Sequence, residues 1–287
     1  MGTRFDGVIP GLEGKAGEAL KQIVEQEVSR LENMLTIYNP ESTVSLLNKK
    51  AALLPVKVEP ELLQILKQMK HYASITNGLF DCGKGLQIRN LKEHAHETDA
   101  SVISDGGMNE VELDEKSSTV CFTSKAVAID TGGYGKGLAL VYVQNLLMKL
   151  GVENAFISFG ESTIYGHGRH PYGKSWKIQV PDVFGNKNLG IFDLMNQTIS
   201  TSANIIRTDQ GKVKIHNHVI NPQNGKAPEE IIVSSVVASS PLDGEVLSTA
   251  FMLADSQQIN EILTHFSKIQ VSKFRYNKQT PEEVYKT

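Results

Sequence analysis

The segment Ala128-Ile129-Asp130-Thr131-Gly132-Gly133-Tyr134-Gly135-Lys136-Gly137 constrains the fold more than any other. It stands where a short apolar run, Ala126 to Ile129, gives way to apolar residues spaced three to four apart: Leu138, Val141, Tyr142, Leu146 and Leu150. That change of period predicts an extended segment feeding a helix through a glycine turn. Glycine lets a backbone approach a bulky ligand closely. The helix start offers unpaired N–H groups and a partial positive charge, which suit a phosphate or pyrophosphate. The run is not a P-loop, because Gly137 follows Lys136 where that motif has Ser or Thr. Nor does Gly133-x-Gly135-x-Gly137 fit the dinucleotide pattern Gly-x-Gly-x-x-Gly. Taken alone, it reads equally as a tight turn.

Helical spacing recurs over residues 18–36, through Leu20, Ile23, Val24, Val28, Leu31 and Leu35. The turn cluster Tyr38-Asn39-Pro40-Glu41-Ser42 ends it, and a short helix carrying Leu46 and Leu47 follows. A third helix starts at Pro60 and stops at Thr76-Asn77-Gly78. Residues 82–125 read as strands and turns. Beyond the glycine run come a helix over 136–150, a buried strand Ala155–Phe159 and an alternating strand Trp176–Val180. Val213–Ile220 and Ile231–Ala238 read as a further strand pair, and helices near 242–254 and 255–267 complete the core, the latter capped by Asp255 or Ser256. Strands and helices interleave without a βαβ beat, so the expected class is α+β, with mixed or antiparallel sheets packed by helices. A single domain over 1–287 is expected, with a polar tail after about 272 at its periphery.

The net charge of −3 and scattered Lys and Arg give no nucleic-acid surface. No stretch is long enough to span a membrane. Cys82 and Cys121 are too few for a disulfide framework or a metal cluster, and their surroundings make them inert. Met1-Gly2-Thr3-Arg4-Phe5 holds no apolar signal core. The compartment stays open between the cytoplasm and, where a leader has been removed, a bacterial periplasm or cell envelope.

Several residues carry possible chemistry. Glu245 and Thr249, four apart on a helix, share a face and offer two hard oxygens of the kind magnesium takes. In isolation the simpler reading is a solvated acid and a threonine bonded to its own backbone. His216 and His218, two apart in the expected strand, point the same way, so His218 suits a general base or the two suit a zinc site. The other reading is a structural histidine. Thr201-Ser202-Ala203-Asn204 suits phosphate or ribose, or is an ordinary hydroxyl-rich turn. Glu161, beside Gly160, closes a strand and either reaches a sugar or ring nitrogen or is a solvated loop acid. Tyr38 is either an aromatic plate for a planar ring or a turn residue packed on the first helix.

Together these segments resemble the ApbE family of FAD:protein FMN transferases over nearly the whole chain. Met1-Gly2-Thr3 resembles the family's opening Met-Gly-Thr, and Tyr38 to Ser42 with Leu46-Leu47-Asn48 its Tyr-Asp-Pro-x-Ser…Leu-Asn segment. Thr76-Asn77-Gly78-Leu79-Phe80-Asp81 is similar to Thr-x-Gly-x-Phe-Asp, and Asp130 to Gly137 to Asp-Leu-Gly-Gly-Ile-Ala-Lys-Gly. Ser158 to Ser162 stands where the family often has Asn-x-Gly-Gly-Asp, and Thr201-Ser202-Ala203 stands for Thr-Ser-Gly. His218 to Gly225 is similar to His-Ile-Ile-Asp-Pro-x-Thr-Gly, and Glu245 to Ala250 to Asp-Ala-x-x-Thr-Ala.

The resemblance implies an enzyme that binds FAD with Mg²⁺, cleaves the pyrophosphate and attaches FMN to a Ser or Thr of an acceptor flavoprotein, or releases FMN and AMP. It implies that Glu245, Thr249 and the Gly135 carbonyl hold magnesium and that His218 deprotonates the acceptor hydroxyl. Met1, Tyr38, Asp81, Gly133, Lys136, Gly160, Glu161, Thr201 and Ser202 would then line the flavin nucleotide. The chain departs from the family pattern at Glu245 (Asp), Glu161 (Gly), Ser162 (Asp), Ala203 (Gly), Asn221 (Asp) and Asn224 (Thr), and Val141 stands near where an Asp is common. These departures define an alternative: a catalytically impaired flavin- or nucleotide-binding protein on the same scaffold.

Overall fold

The computed structural model describes residues 2–93, 106–185, 187–208, 211–216 and 218–287. In chain order these form β1 (Phe5–Val8), α1 (Gly14–Leu35), α2 (Thr43–Lys50), β2 (Val56–Lys57), α3 (Pro60–Ile75) and α4 (Gly85–Glu93). A 3₁₀ turn, Met108–Glu110, leads into β3 (Val111–Asp114) and β4 (Thr119–Phe122), followed by α5 (Gly135–Lys149). Next come β5 (Ala155–Phe159), β6 (Thr163–His167), β7 (Trp176–Pro181), β8 (Asn188–Leu194) and β9 (Gln197–Ala203). The chain ends with β10 (Ile205–Arg207), β11 (Val213–Ile215), β12 (Ile232–Ala238), α6 (Pro241–Leu253), α7 (Ser256–Leu263), β13 (Gln270–Asn277) and β14 (Thr280–Lys286). The class is α+β. Among the described residues, no helix is long and apolar enough to cross a membrane.

Two compact units share these elements. One comprises Met1–Leu31, Gly133–His216 and Glu229–Thr287; the other comprises Glu32–Gly132 and Asn217–Pro228.

The first unit is built on a seven-stranded sheet in the order β1-β5-β6-β9-β12-β13-β14, antiparallel at every pairing. Strand alternation gives this sheet two different faces. On one face Ile199 and Val237 pack against Trp176, Val180 and Leu194 of the β7–β8 hairpin. On the other, α6 lies along β9 and β12, with α5 beside it. Glycines permit this closeness. A Cβ on Gly137 of α5 would stand 2.6 Å from the Glu245 Cβ and 2.9 Å from the Pro241 carbonyl oxygen. One on Gly244 of α6 would stand 2.9 Å from the Thr198 Cγ2 of β9.

The segment after 272 is not a peripheral tail. β13 pairs with β12 in the sheet, and its Phe274 and Tyr276 join Val183, Ile231 and Val233 in a buried cluster. Only β14, the edge strand, is largely exposed. The polar look of this stretch reflects the alternation of a half-buried strand. Residues 213–220 also differ from expectation. β11 stops at Ile215 and pairs with β10, whereas β12 pairs with β9 and β13.

The second unit holds α2, α3 and α4 with a small sheet in the order β2-β4-β3. Its α4 lies inside a stretch expected to be strands and turns. The apolar run Ala126–Ile129 forms no full strand; Ala128 makes a single parallel bridge to Lys84. Asn48 holds the run from the side, donating to the Ile129 carbonyl at 2.9 Å and accepting from the Ile129 N–H at 2.7 Å. Ser42 caps α2 by accepting from the Ser45 N–H at 3.0 Å. Cys82 is buried, and that burial pushes its thiol well above the usual range, so it is unreactive.

Candidate active site

The chemistry-bearing residues of the first unit gather where α5 and α6 meet the sheet. α5 begins at Gly135 with no side chain capping it, no acid in its first turn and Lys136 at its second residue. A helix start and a lysine of this kind favour an anion. Because Gly137 lets α6 come close, the Lys136 ammonium reaches across and pairs with Oε1 of Glu245.

Glu245 is 4 % exposed, so its carboxylate has lost most of its water. It regains partners from the protein. Thr163 of β6 donates to Oε2, and Ser200 of β9 donates to the same oxygen at 3.1 Å. Thr163 and Ser200 are cross-strand partners with their hydroxyls 3.2 Å apart. A buried carboxylate supplied with a cation and two hydroxyl donors is fully compensated. One turn further along α6, Ser248 and Thr249 each donate to the Glu245 carbonyl, at 3.0 and 3.3 Å. Ser202 of β9 lies against both hydroxyls, 2.9 Å from Ser248 and 3.3 Å from Thr249.

The alternation of β9 separates residues that look contiguous in sequence. Ser200 and Ser202 face α6, whereas Thr201 points to the opposite side and pairs with Ser235 at 2.9 Å. Gly160 and Glu161 form the β5–β6 turn, at φ +63° and +59°. Gly160 is needed there, since a Cβ would come within 2.6 Å of the Thr3 hydroxyl. Glu161 is exposed. Gly133 lies in the turn just before α5. Met1 lies outside the described residues.

Tyr38, Asp81 and His218 belong to the second unit. Tyr38 is 92 % exposed, which rules out packing on the first helix. Asp81 is turned towards backbone donors: Oδ1 accepts from the Gly83 N–H at 2.8 Å and the Met108 N–H at 3.0 Å. Burial nevertheless raises its carboxyl above the usual range. Asp81 thus ties two loops together. His218 is half-buried in the turn leading to Val219 and Ile220, with an Asn221–Gly225 loop beyond it. The shared-face reading of His216 and His218 fails, because the strand ends before either and the two fall in different units. Among the described residues, no group of three or more His, Cys, Asp and Glu could hold a metal ion, so a zinc site has no support there.

The magnesium set implied by the resemblance combines Gly135, Glu245 and Thr249. Its oxygens are hard enough for the ion. Their arrangement does not fit it, because the only carboxylate in the set already holds an ammonium on Oε1 and two hydroxyl donors on Oε2. The Thr249 hydroxyl is likewise engaged, with the helix carbonyl and Ser202. Thr163, Ser200 and Ser248, which complete this cluster, escaped the sequence reading. No local signal marks them: β6 (TIYGH) and β9 (QTISTSA) lack a regular polar–apolar alternation, and Ser248 is one hydroxyl within a largely apolar helix.

The fold is that of ApbE-type flavin transferases. The structure superposes on the apo flavinyl transferase ApbE of Pseudomonas stutzeri with TM-score 0.82 at 20 % identity, covering 99 % of this chain and 92 % of that one. An ApbE protein of Thermotoga maritima gives TM-score 0.82 at 20 % identity, covering 98 % and 94 %. In sequence, an FAD:protein FMN transferase of Chlamydia muridarum is 27 % identical over 252 residues, 84 % of this chain and 77 % of that protein. One from Escherichia coli is 22 % identical over 277 residues, 92 % and 79 %. The model of the ApbE family matches residues 1–272. The chain belongs to the ApbE family.

Proposed function

We propose that this chain is a transferase that moves FMN from FAD onto a Ser or Thr hydroxyl of an acceptor flavoprotein. The observation that carries this reading is the family match over residues 1–272, shared with relatives named FAD:protein FMN transferase. The start of α5, which no side chain caps, supports it, as a place suited to a nucleotide's phosphates. The acceptor oxygen attacks the phosphorus on the flavin side of the pyrophosphate. The new P–O bond forms as the bridging bond breaks, AMP leaves, and the hydroxyl proton passes to a base. With water as the attacking group, the products are FMN and AMP.

Roles for single residues follow by resemblance of their segments. His218 is proposed as the base, and Tyr38, Gly133, Gly160, Glu161, Ser202 and Met1 as residues of the nucleotide site. Thr201 and Asp81 are proposed there through backbone shape, because their side chains serve other partners. No step is assigned to magnesium, given the occupied Glu245 carboxylate.

The test is incubation with FAD and an acceptor domain, read by mass spectrometry for the FMN adduct and by chromatography for AMP. Absence of both, beside an active relative, overturns the reading. The paired state of Glu245 favours a second one, a binding protein that takes up FAD without turnover. Quenching of FAD fluorescence without AMP release would select it.

A further inference from the structure

Three features of the first unit define the Glu245 carboxylate. It is buried, at 4 % exposure, so it requires a counter-charge. Both oxygens are occupied, Oε1 by the Lys136 ammonium and Oε2 by the Thr163 and Ser200 hydroxyls. The pairing is also built into the backbone, because the missing Cβ of Gly137 is what brings α5 against the Cβ of Glu245. A divalent ion entering here would have to expel Lys136 and part at least one hydroxyl from the carboxylate. Magnesium demands near-octahedral geometry and sheds its own water reluctantly, so it gains little from such a site. Lys136 reaches the carboxylate as a compact point charge on a flexible stem, already positively charged and already in place.

We propose that Lys136 is the resident cation of this site, standing at Glu245 in the place of a divalent metal, so that the free protein has no metal site built on Glu245 and Thr249. This concerns the carboxylate alone and holds whichever flavin reaction the chain performs.

Two measurements on the unaltered protein test it. Mn²⁺ prefers the same octahedral oxygen shell as magnesium and is visible by EPR when free. Titration to about 1 mM metal should leave the free-ion signal tracking the total added. The second measurement is amine labelling of Lys136, read by peptide mass spectrometry with and without Mg²⁺. Its extent should be unchanged. Uptake of one equivalent of Mn²⁺, abolished by Glu245→Gln, would overturn the proposal. So would a several-fold rise in Lys136 labelling on adding Mg²⁺, since that shows the ammonium being displaced. Uptake that survives Glu245→Gln lies elsewhere and leaves the pair intact. Should Glu245→Gln not fold, the labelling result decides alone.

Discussion

Glu161 occupies a left-handed position, φ +59°, where a side chain with a Cβ is strained. The strain is about 1–2 kcal/mol, and glycine returns part of it as extra freedom in the unfolded chain. Glu161→Gly should therefore raise stability by roughly 0.5–1 kcal/mol, seen as a higher urea midpoint at unchanged slope. A lower midpoint would mean that the side chain makes a contact worth more than the strain.

Lys273 provides a pH-dependent test at the same scale. Burial is the main cause lowering its ammonium from 10.5 to about 8, with Asp255 opposing and Arg275 assisting. The ammonium donates to the Ala254 carbonyl at 2.7 Å. Between about 8 and 10.5 the unfolded chain holds a proton that the folded chain has released. Stability should therefore rise with pH across that window in the unaltered protein and less so in Lys273→Met. Denaturation curves for the two that move in parallel would remove the effect.

At the scale of elements, Gly137 decides how α5 and α6 meet. In an isolated helix, alanine would be better than glycine by about 1 kcal/mol. Here the added Cβ would lie 2.6 Å from the Glu245 Cβ and 2.9 Å from the Pro241 carbonyl oxygen. Gly137→Ala should thus destabilise by about 1–3 kcal/mol, the cost of overpacking. Thermal unfolding of the variant at or above the parent's temperature would show that the helices separate freely. The helices themselves were legible in sequence: α1, α3, α5 and α6 follow apolar spacing, and Asp255, one of the two caps expected, starts α7. α4 was not, because its nine residues, GLQIRNLKE, carry too short an apolar stripe to reveal a helix. The strand expected through His218 failed for a related reason. Val213–Ile220 has strand composition throughout, yet the chain leaves β11 after Ile215 and passes into the other unit.

For the whole molecule, the sheet of the first unit is complete only with its final strands. Truncation after residue 272 removes Phe274 and Tyr276 from their buried cluster and bares the edge of β12. Loss of each large aromatic costs about 3–5 kcal/mol. Together this rivals the 5–15 kcal/mol that typically holds a domain folded. The shortened chain should fail to fold, read as loss of sheet in far-ultraviolet circular dichroism and a red shift of Trp176 emission. A native spectrum would show that the sheet is stable without β13 and β14.

The sequence by itself determined the α+β class, most of the long helices and the family, because period, capping and motif order are local and survive in a one-dimensional string. It also marked Lys136, Glu245 and Thr249 as residues of interest. Only the tertiary structure decided what they do to one another. Lys136 and Glu245 are far apart in the chain, and nothing local says that a glycine contact brings α5 onto α6. Nor does the sequence say that alternation turns Ser200 and Ser202 towards α6 while Thr201 faces away. Burial to 4 % exposure then converts a nominal metal ligand into one half of an ion pair, because a desolvated carboxylate is held by whichever cation the fold delivers to it.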